Sequence, residues 1–170
     1  MGRENVWSSV VWSTYTHSNA PGAPEVGAVS ESVIKGTITV SALNGNPIGD
    51  MGSEDTQFRV EMRKVTDGEW GLGVTRYVTS GSTLSFVESD GIWKTRAEWG
   101  GEKGFNVTGL ENNTQYVMRL VARNAVGIIS GAGVESEPVK TWGTITNVVS
   151  VPHTGKEAGE IKVSWDGMGT

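Results

Sequence analysis

The chain has 170 residues, a net charge of −5 and no cysteine, and its lysines and arginines form no cluster. That balance excludes a phosphate-neutralising nucleic-acid surface and attraction to an anionic membrane, and it removes disulfide staples and thiol catalysis from consideration. With 24 glycines, many Ser, Thr, Val and Asn, and no ten-residue window of convincing helical periodicity, the composition predicts an all-β chain of short strands and turns.

In chain order, residues 5–16 (NVWSSVVWSTYT) are rich in β-branched and aromatic residues and predict a strand, which the prolines and glycine of residues 17–25 break. Residues 26–29 predict a short strand, and residues 35–42 another with Ile38, Val40 and Ala42 facing inward. Residues 43–53 carry Asn-Gly and Pro signals and predict a loop. Residues 57–65 alternate cleanly, Phe58, Val60 and Met62 inward against Arg59, Glu61 and Arg63 outward. Residues 74–79, 83–88 and 92–98 predict three short strands separated by Ser-Gly-Ser and Ser-Asp-Gly turns. The strongest signal lies in residues 105–141. Its middle, residues 115–124, places Tyr116, Met118, Leu120 and Ala122 on one face and Arg119 and Arg123 on the other, the pattern of a half-buried antiparallel strand. The Glu-Asn-Asn-Thr turn before it leads into a tyrosine whose hydroxyl needs a partner.

Leu110, Tyr116, Ala122, Asn124, Gly127 and Thr141 have the spacing of the last three strands of a fibronectin type III domain, which this stretch resembles. The resemblance implies an immunoglobulin-like β-sandwich over residues 24–143, with Leu110, Tyr116 and Leu120 in its core. Such sandwiches run to about 100 residues. The surplus falls at about residues 70–104, which predict an inserted β-hairpin. After residue 143 the chain begins again: Gly159, Ile161, Val163, Ser164 and Trp165 parallel Gly36, Ile38, Val40, Ser41 and Ala42. Residues 144–170 are thus expected to be the first strands of a following unit, with Trp165 in its core. Residues 1–23 are expected to be either a strand of a preceding unit with its linker or a terminal arm. Two strands bury too little to stand alone. Either the chain is cut from a longer array, or a neighbouring copy completes it by strand addition into a homo-oligomer.

No catalytic, cofactor-binding or metal-binding constellation is expected. His17 and His153 fall in predicted loops without triad or ligand partners. Gly71-Leu-Gly73 and Gly131-Ala-Gly133 lack the lysine and helix of a phosphate loop. Asp50, Glu54 and Asp55 match no calcium loop. The acceptor triplets at Asn106 and Asn112 lack the support of a secretory signal, and the opening Met-Gly-Arg-Glu-Asn has neither a basic nor an apolar block. No stretch is apolar for long enough to span a bilayer. Among seven tryptophans, Trp70, Trp93 and Trp99 lie in or beside the insertion. They are either exposed platforms for a protein or glycan, or a satellite core beneath the hairpin.

The resemblance implies a non-enzymatic structural or adhesive module of a virion tail or fibre, or of an extracellular or cell-surface array. Its partners would be other subunits, neighbouring domains or a host-surface protein or glycan. The alternative is an accessory carbohydrate-binding module of a secreted glycan-active enzyme.

Overall fold

The computed structural model describes residues 18–47 and 56–144, and the backbone of two further short strands at residues 149–151 and 162–164. The strand expected in residues 5–16, both histidines, the acidic loop and Trp165 lie outside the described residues.

Two sheets face each other. The smaller joins β1 (Glu25–Ala28), β2 (Ile34–Thr37) and β7 (Phe105–Val107), in the order β1-β2-β7. The larger is built on β3 (Gln57–Lys64), with β4 (Arg76–Val78), β5 (Leu84–Ser85), β6 (Lys94–Thr95), β8 (Gln115–Arg123), β9 (Ile129–Ala132) and β10 (Val139–Lys140). Here β8 and β3 form the centre, β10 and β9 continue one edge of β8, and β4 and β6 share the far edge of β3, with β5 outside β4. All pairings are antiparallel. A separate ladder pairs β11 (Val149–Val151) with β12 (Lys162–Ser164).

The alternation read in β3 and β8 decides what fills the sandwich. Phe58, Val60 and Met62 stand opposite Ala122, Leu120 and Met118, and these six side chains, with Ile34, Ile38, Val78 and Val107, are fully buried. At roughly 1.5–3 kcal/mol for each large apolar side chain removed from water, this stripe is the main source of stability. The second strand is shorter than its pattern predicts. It ends at Thr37, a 3-10 turn occupies Ser41–Leu43, and Val40 is 66% exposed rather than inward. The turn is held by Ala42 N–H on Thr39 Oγ1 and by Gly22 N–H on the Ala42 carbonyl, so the backbone groups that would extend the strand serve the incoming segment instead. That segment is docked: Pro21 is buried, its carbonyl accepts from Val134 N–H, and the Asn46 side chain bonds both backbone groups of Asn19.

The insertion makes one hairpin, β4 with β5, plus the short β6. Its tip crosses toward the small sheet, where Thr108 donates to the Ser82 carbonyl from both its N–H (2.7 Å) and its hydroxyl (3.2 Å). The expected partner for the buried tyrosine is present. Tyr116 Oη accepts from Glu111 N–H at 3.0 Å, while Thr141 Oγ1 donates to the Glu111 carbonyl at 2.7 Å and accepts from Thr114 N–H at 3.0 Å.

Replacing Tyr116 by phenylalanine leaves the Glu111 N–H without its acceptor. A loss of about 1–3 kcal/mol is expected in urea unfolding, with the slope unchanged. A smaller loss would show that the corner is held without the hydroxyl.

Candidate functional site: an arginine and tryptophan face

The outward face of the large sheet is not a solvated polar surface. The antiparallel register sets Gln57 beside Arg123, Arg59 beside Val121, Glu61 beside Arg119 and Arg63 beside Val117. Side chains of such pairs share a face. In water this would be a loose array of charges, yet Glu61 is only 2% exposed, and Arg59, Val117 and Val121 are also buried. Segments that return from the far edge cover them.

Three aromatic rings make the cover. The turn after β3 brings Trp70 back over the sheet, with the Arg119 guanidinium 3.9 Å and that of Arg63 5.3 Å from its ring centre. The insertion brings Trp93 over the other end, 4.6 Å from Arg123 and 5.0 Å from Arg59. Tyr77 of β4 lies 4.9 Å from Arg59. The approach is close enough to require glycine: a Cβ on Gly91 would lie 2.9 Å from the Tyr77 Cβ and 3.0 Å from the Arg59 Cδ.

Carboxylates complete the network. Glu61 takes Arg59 on one oxygen and Arg119 on the other, each at 2.8 Å. Glu88 takes the remaining terminal nitrogen of Arg59 at 2.7 Å, and Glu135 accepts from Arg63 and from the Trp70 indole N–H. The Nε groups of Arg59 and Arg63 are buried without an acceptor, so contact with the rings replaces part of the hydration those guanidinium groups lose. Burial, then the carboxylates of Glu88 and Glu61, raises the pKa of the Tyr77 hydroxyl above its ordinary value. Arg123 is different. Its Nε donates to Gln57 Oε1 at 2.7 Å, but among the described residues no carboxylate lies within ion-pair distance of it. Burial first, and then the neighbouring Arg59, lower its pKa from the ordinary arginine value.

The three tryptophans singled out from sequence therefore part company. Trp70 and Trp93 are half-buried on this face. Trp99 is not available as an exposed platform: it is 4% exposed, its indole N–H donates to the Phe58 carbonyl at 2.8 Å, and its ring lies 4.6 Å from that of Phe105 in the core. The cause is the turn that ends at Gly100, with Trp99 N–H on the Thr95 carbonyl, which folds the ring back over the end of β3. Leu110, Tyr116 and Leu120 are buried in the core. Sequence reasoning missed Glu61, Tyr77, Glu88, Glu135 and the four arginines as one constellation. The signal was the run Arg59, Glu61, Arg63 opposite Arg119, Arg123, which alternation places outward without indicating what covers it.

Among the described residues no group of three or more His, Cys, Asp or Glu side chains is placed to hold a metal ion, and no helix is long and apolar enough to cross a membrane. The strand orders of the two sheets, together with the tyrosine corner at Glu111 and Tyr116, decide the fold. The fold is fibronectin type III-like. Solved structures similar to the chain include domains A168–A170 of titin, at 25% identity over 72% of this chain with a TM-score of 0.42. The chain spans 32% of that titin structure. The sixth fibronectin type III domain from human fibronectin type III domain containing protein 3 is 16% identical, over 84% of this chain and 98% of that one, at a TM-score of 0.41. A fibronectin type III domain derived from human KIAA0970 protein is 14% identical, over 84% and 88%, at 0.44. No family model matches the chain.

Two substitutions separate cover from core. Trp99→Ala is expected to cost about 3–5 kcal/mol in chemical denaturation, as a large ring leaving a packed core does. Trp93→Ala, which removes a half-buried ring stacked on two cations, is expected to cost roughly 1–2 kcal/mol. Equal losses would show that Trp93 is as much a core residue as Trp99. At the centre, Glu61→Gln leaves Arg59 and Arg119 without their shared charge and is expected to cost about 3 kcal/mol, measured the same way.

Proposed function

We propose that the chain is a non-catalytic structural and adhesive module of a virion tail or fibre, or of an extracellular surface assembly. In this reading it contacts a neighbouring subunit or a host-surface protein through the outward face of the large sheet. The observation that carries the reading is the pinning of Trp70 and Trp93 over Arg63, Arg119, Arg59 and Arg123. Tryptophan, tyrosine and arginine dominate the energetics of protein contacts, and rings already immobilised lose little entropy when a partner closes over them. A fibronectin type III-like sandwich suits such a role, since its sheets hold the face rigid. The sequence repeat between Gly36–Ala42 and Gly159–Trp165, the abundant glycine and the absence of cysteine favour a serial surface assembly.

A photo-reactive residue placed at Leu72, fully exposed two residues from Trp70, tests the reading in the native assembly. It is expected to cross-link to a neighbouring protein. Trp70→Ala and Trp93→Ala should each weaken that contact roughly 30-fold, as loss of a hot-spot ring of about 2 kcal/mol does. Absence of cross-links, with both variants assembling and adhering normally, would overturn it. Saturable binding of the unaltered chain to a polysaccharide in a glycan screen would favour the carbohydrate-binding alternative instead.

A further inference from the structure

The arginine and tryptophan face follows one rule along most of its length: every guanidinium stacked on a ring also meets a carboxylate of this chain. Arg59 has Glu61 and Glu88, Arg119 has Glu61, and Arg63 has Glu135. The rule stops at Arg123. This side chain is partly exposed, lies over Trp93, faces the like charge of Arg59 and has no carboxylate partner among the described residues.

A second feature meets it there. Between the pairs Val121 with Ala132 and Arg123 with Ile129, two steps along β8 match three along β9, which is a β-bulge. An unbulged strand would set Ser130 beside Arg123. The extra residue instead turns Ser130 back, so that its Oγ accepts from Ala122 N–H at 3.0 Å, and brings Ile129 beside Arg123 with 51% of its surface exposed. Bulges re-aim side chains in this way. The result is a planar cation on an indole ring, without a carboxylate partner among the described residues, flanked on the sheet by an exposed aliphatic side chain and by Gln57.

We propose that this end of the face is a subsite for an acidic side chain of a partner protein, Asp or Glu next to an aliphatic residue. The carboxylate takes the terminal N–H groups of Arg123, and the aliphatic neighbour packs on Ile129. The proposal rests on the reading of this face as the contact surface. Charge complementarity selects the occupant, because the bound carboxylate supplies what Glu61, Glu88 and Glu135 supply elsewhere on the face. The exposed Ile129 favours a peptide over an acidic sugar, whose ring offers hydroxyls to an aliphatic side chain that cannot bond them.

The test is a side-chain NMR titration of the full 170-residue chain, following the Arg123 Nε–H and Trp93 indole N–H signals. The probes are the capped peptide Ac-Leu-Glu-Leu-NH2, its Gln counterpart and glucuronic acid. Saturable shifts of both signals are expected with the Glu peptide, roughly tenfold tighter than with the Gln peptide, and weakening as salt is added. Arg123→Gln should abolish the response and Ile129→Ser should weaken it several-fold. The comparison of Glu with Gln peptide is made on the unaltered chain, so it does not depend on either variant folding. Equal responses to the two peptides, no saturation, or glucuronic acid binding as tightly as the Glu peptide would each overturn the proposal. If cross-linking from Leu72 persists while the Glu peptide fails to saturate, the contact surface stands and the carboxylate subsite falls.

Discussion

Everything described depends on the pairing of β3 with β8. Eight consecutive register positions, from Gln57 with Arg123 to Lys64 with Tyr116, tie two segments more than fifty residues apart into one ladder. A one-residue slip of β3 against β8 would turn Phe58, Val60 and Met62 out of the core and drive Arg59, Glu61 and Arg63 into it. The cost of burying three unmatched ions there far exceeds that of losing a few apolar contacts. The charged outward face therefore enforces the register as strongly as the apolar inward face does.

That constraint explains the form of the insertion. A sheet with both strand faces occupied needs a cover on its charged side, and this chain builds one from its own far edge. The turn after β3 delivers Trp70, β4 delivers Tyr77, and the run between Gly91 and β6 delivers Trp93. The same run then ends in Trp99, which enters the core beyond β6. One inserted segment thus serves both faces of β3: its first tryptophan lies over the cations and its second seals the apolar end. Neither ring forms the separate satellite core that was one reading of the sequence.

Much of this was legible from sequence where a single periodicity governs the residue. The two long strands and their inward sets follow from alternation, and the tyrosine corner follows from a turn before a buried aromatic. The end of β2 was not legible, because Val40 continues the alternation while the competing bonds to Gly22 and Thr39 are long-range or side-chain in origin. The place of Trp99, left open between an exposed platform and a satellite core, was not legible for a related reason. Its destination is set by backbone bonds of the turn between Thr95 and Gly101, which carry no apolar period. The face itself was hidden because alternating charge on a strand reads the same whether water or indole covers it. Only the covering segments, distant in sequence, distinguish the two.

The cover also bears on whether Trp70 and Trp93 stabilise the fold or recognise a partner, which need not be opposed roles. A ring that neutral packing alone held in place would be interchangeable with other apolar residues. A ring held by two guanidinium groups has a fixed plane, and the groups that fix it are themselves anchored by carboxylates. Along most of the face those carboxylates are internal, so the network is closed and its contribution is stability. At Arg123 it is open among the described residues. Because the stacking is already in place there, an incoming carboxylate meets a guanidinium that is partly desolvated and faces the like charge of Arg59, and its pairing offsets both. The physics that makes the face a structural element thus leaves one end of it selective for negative charge.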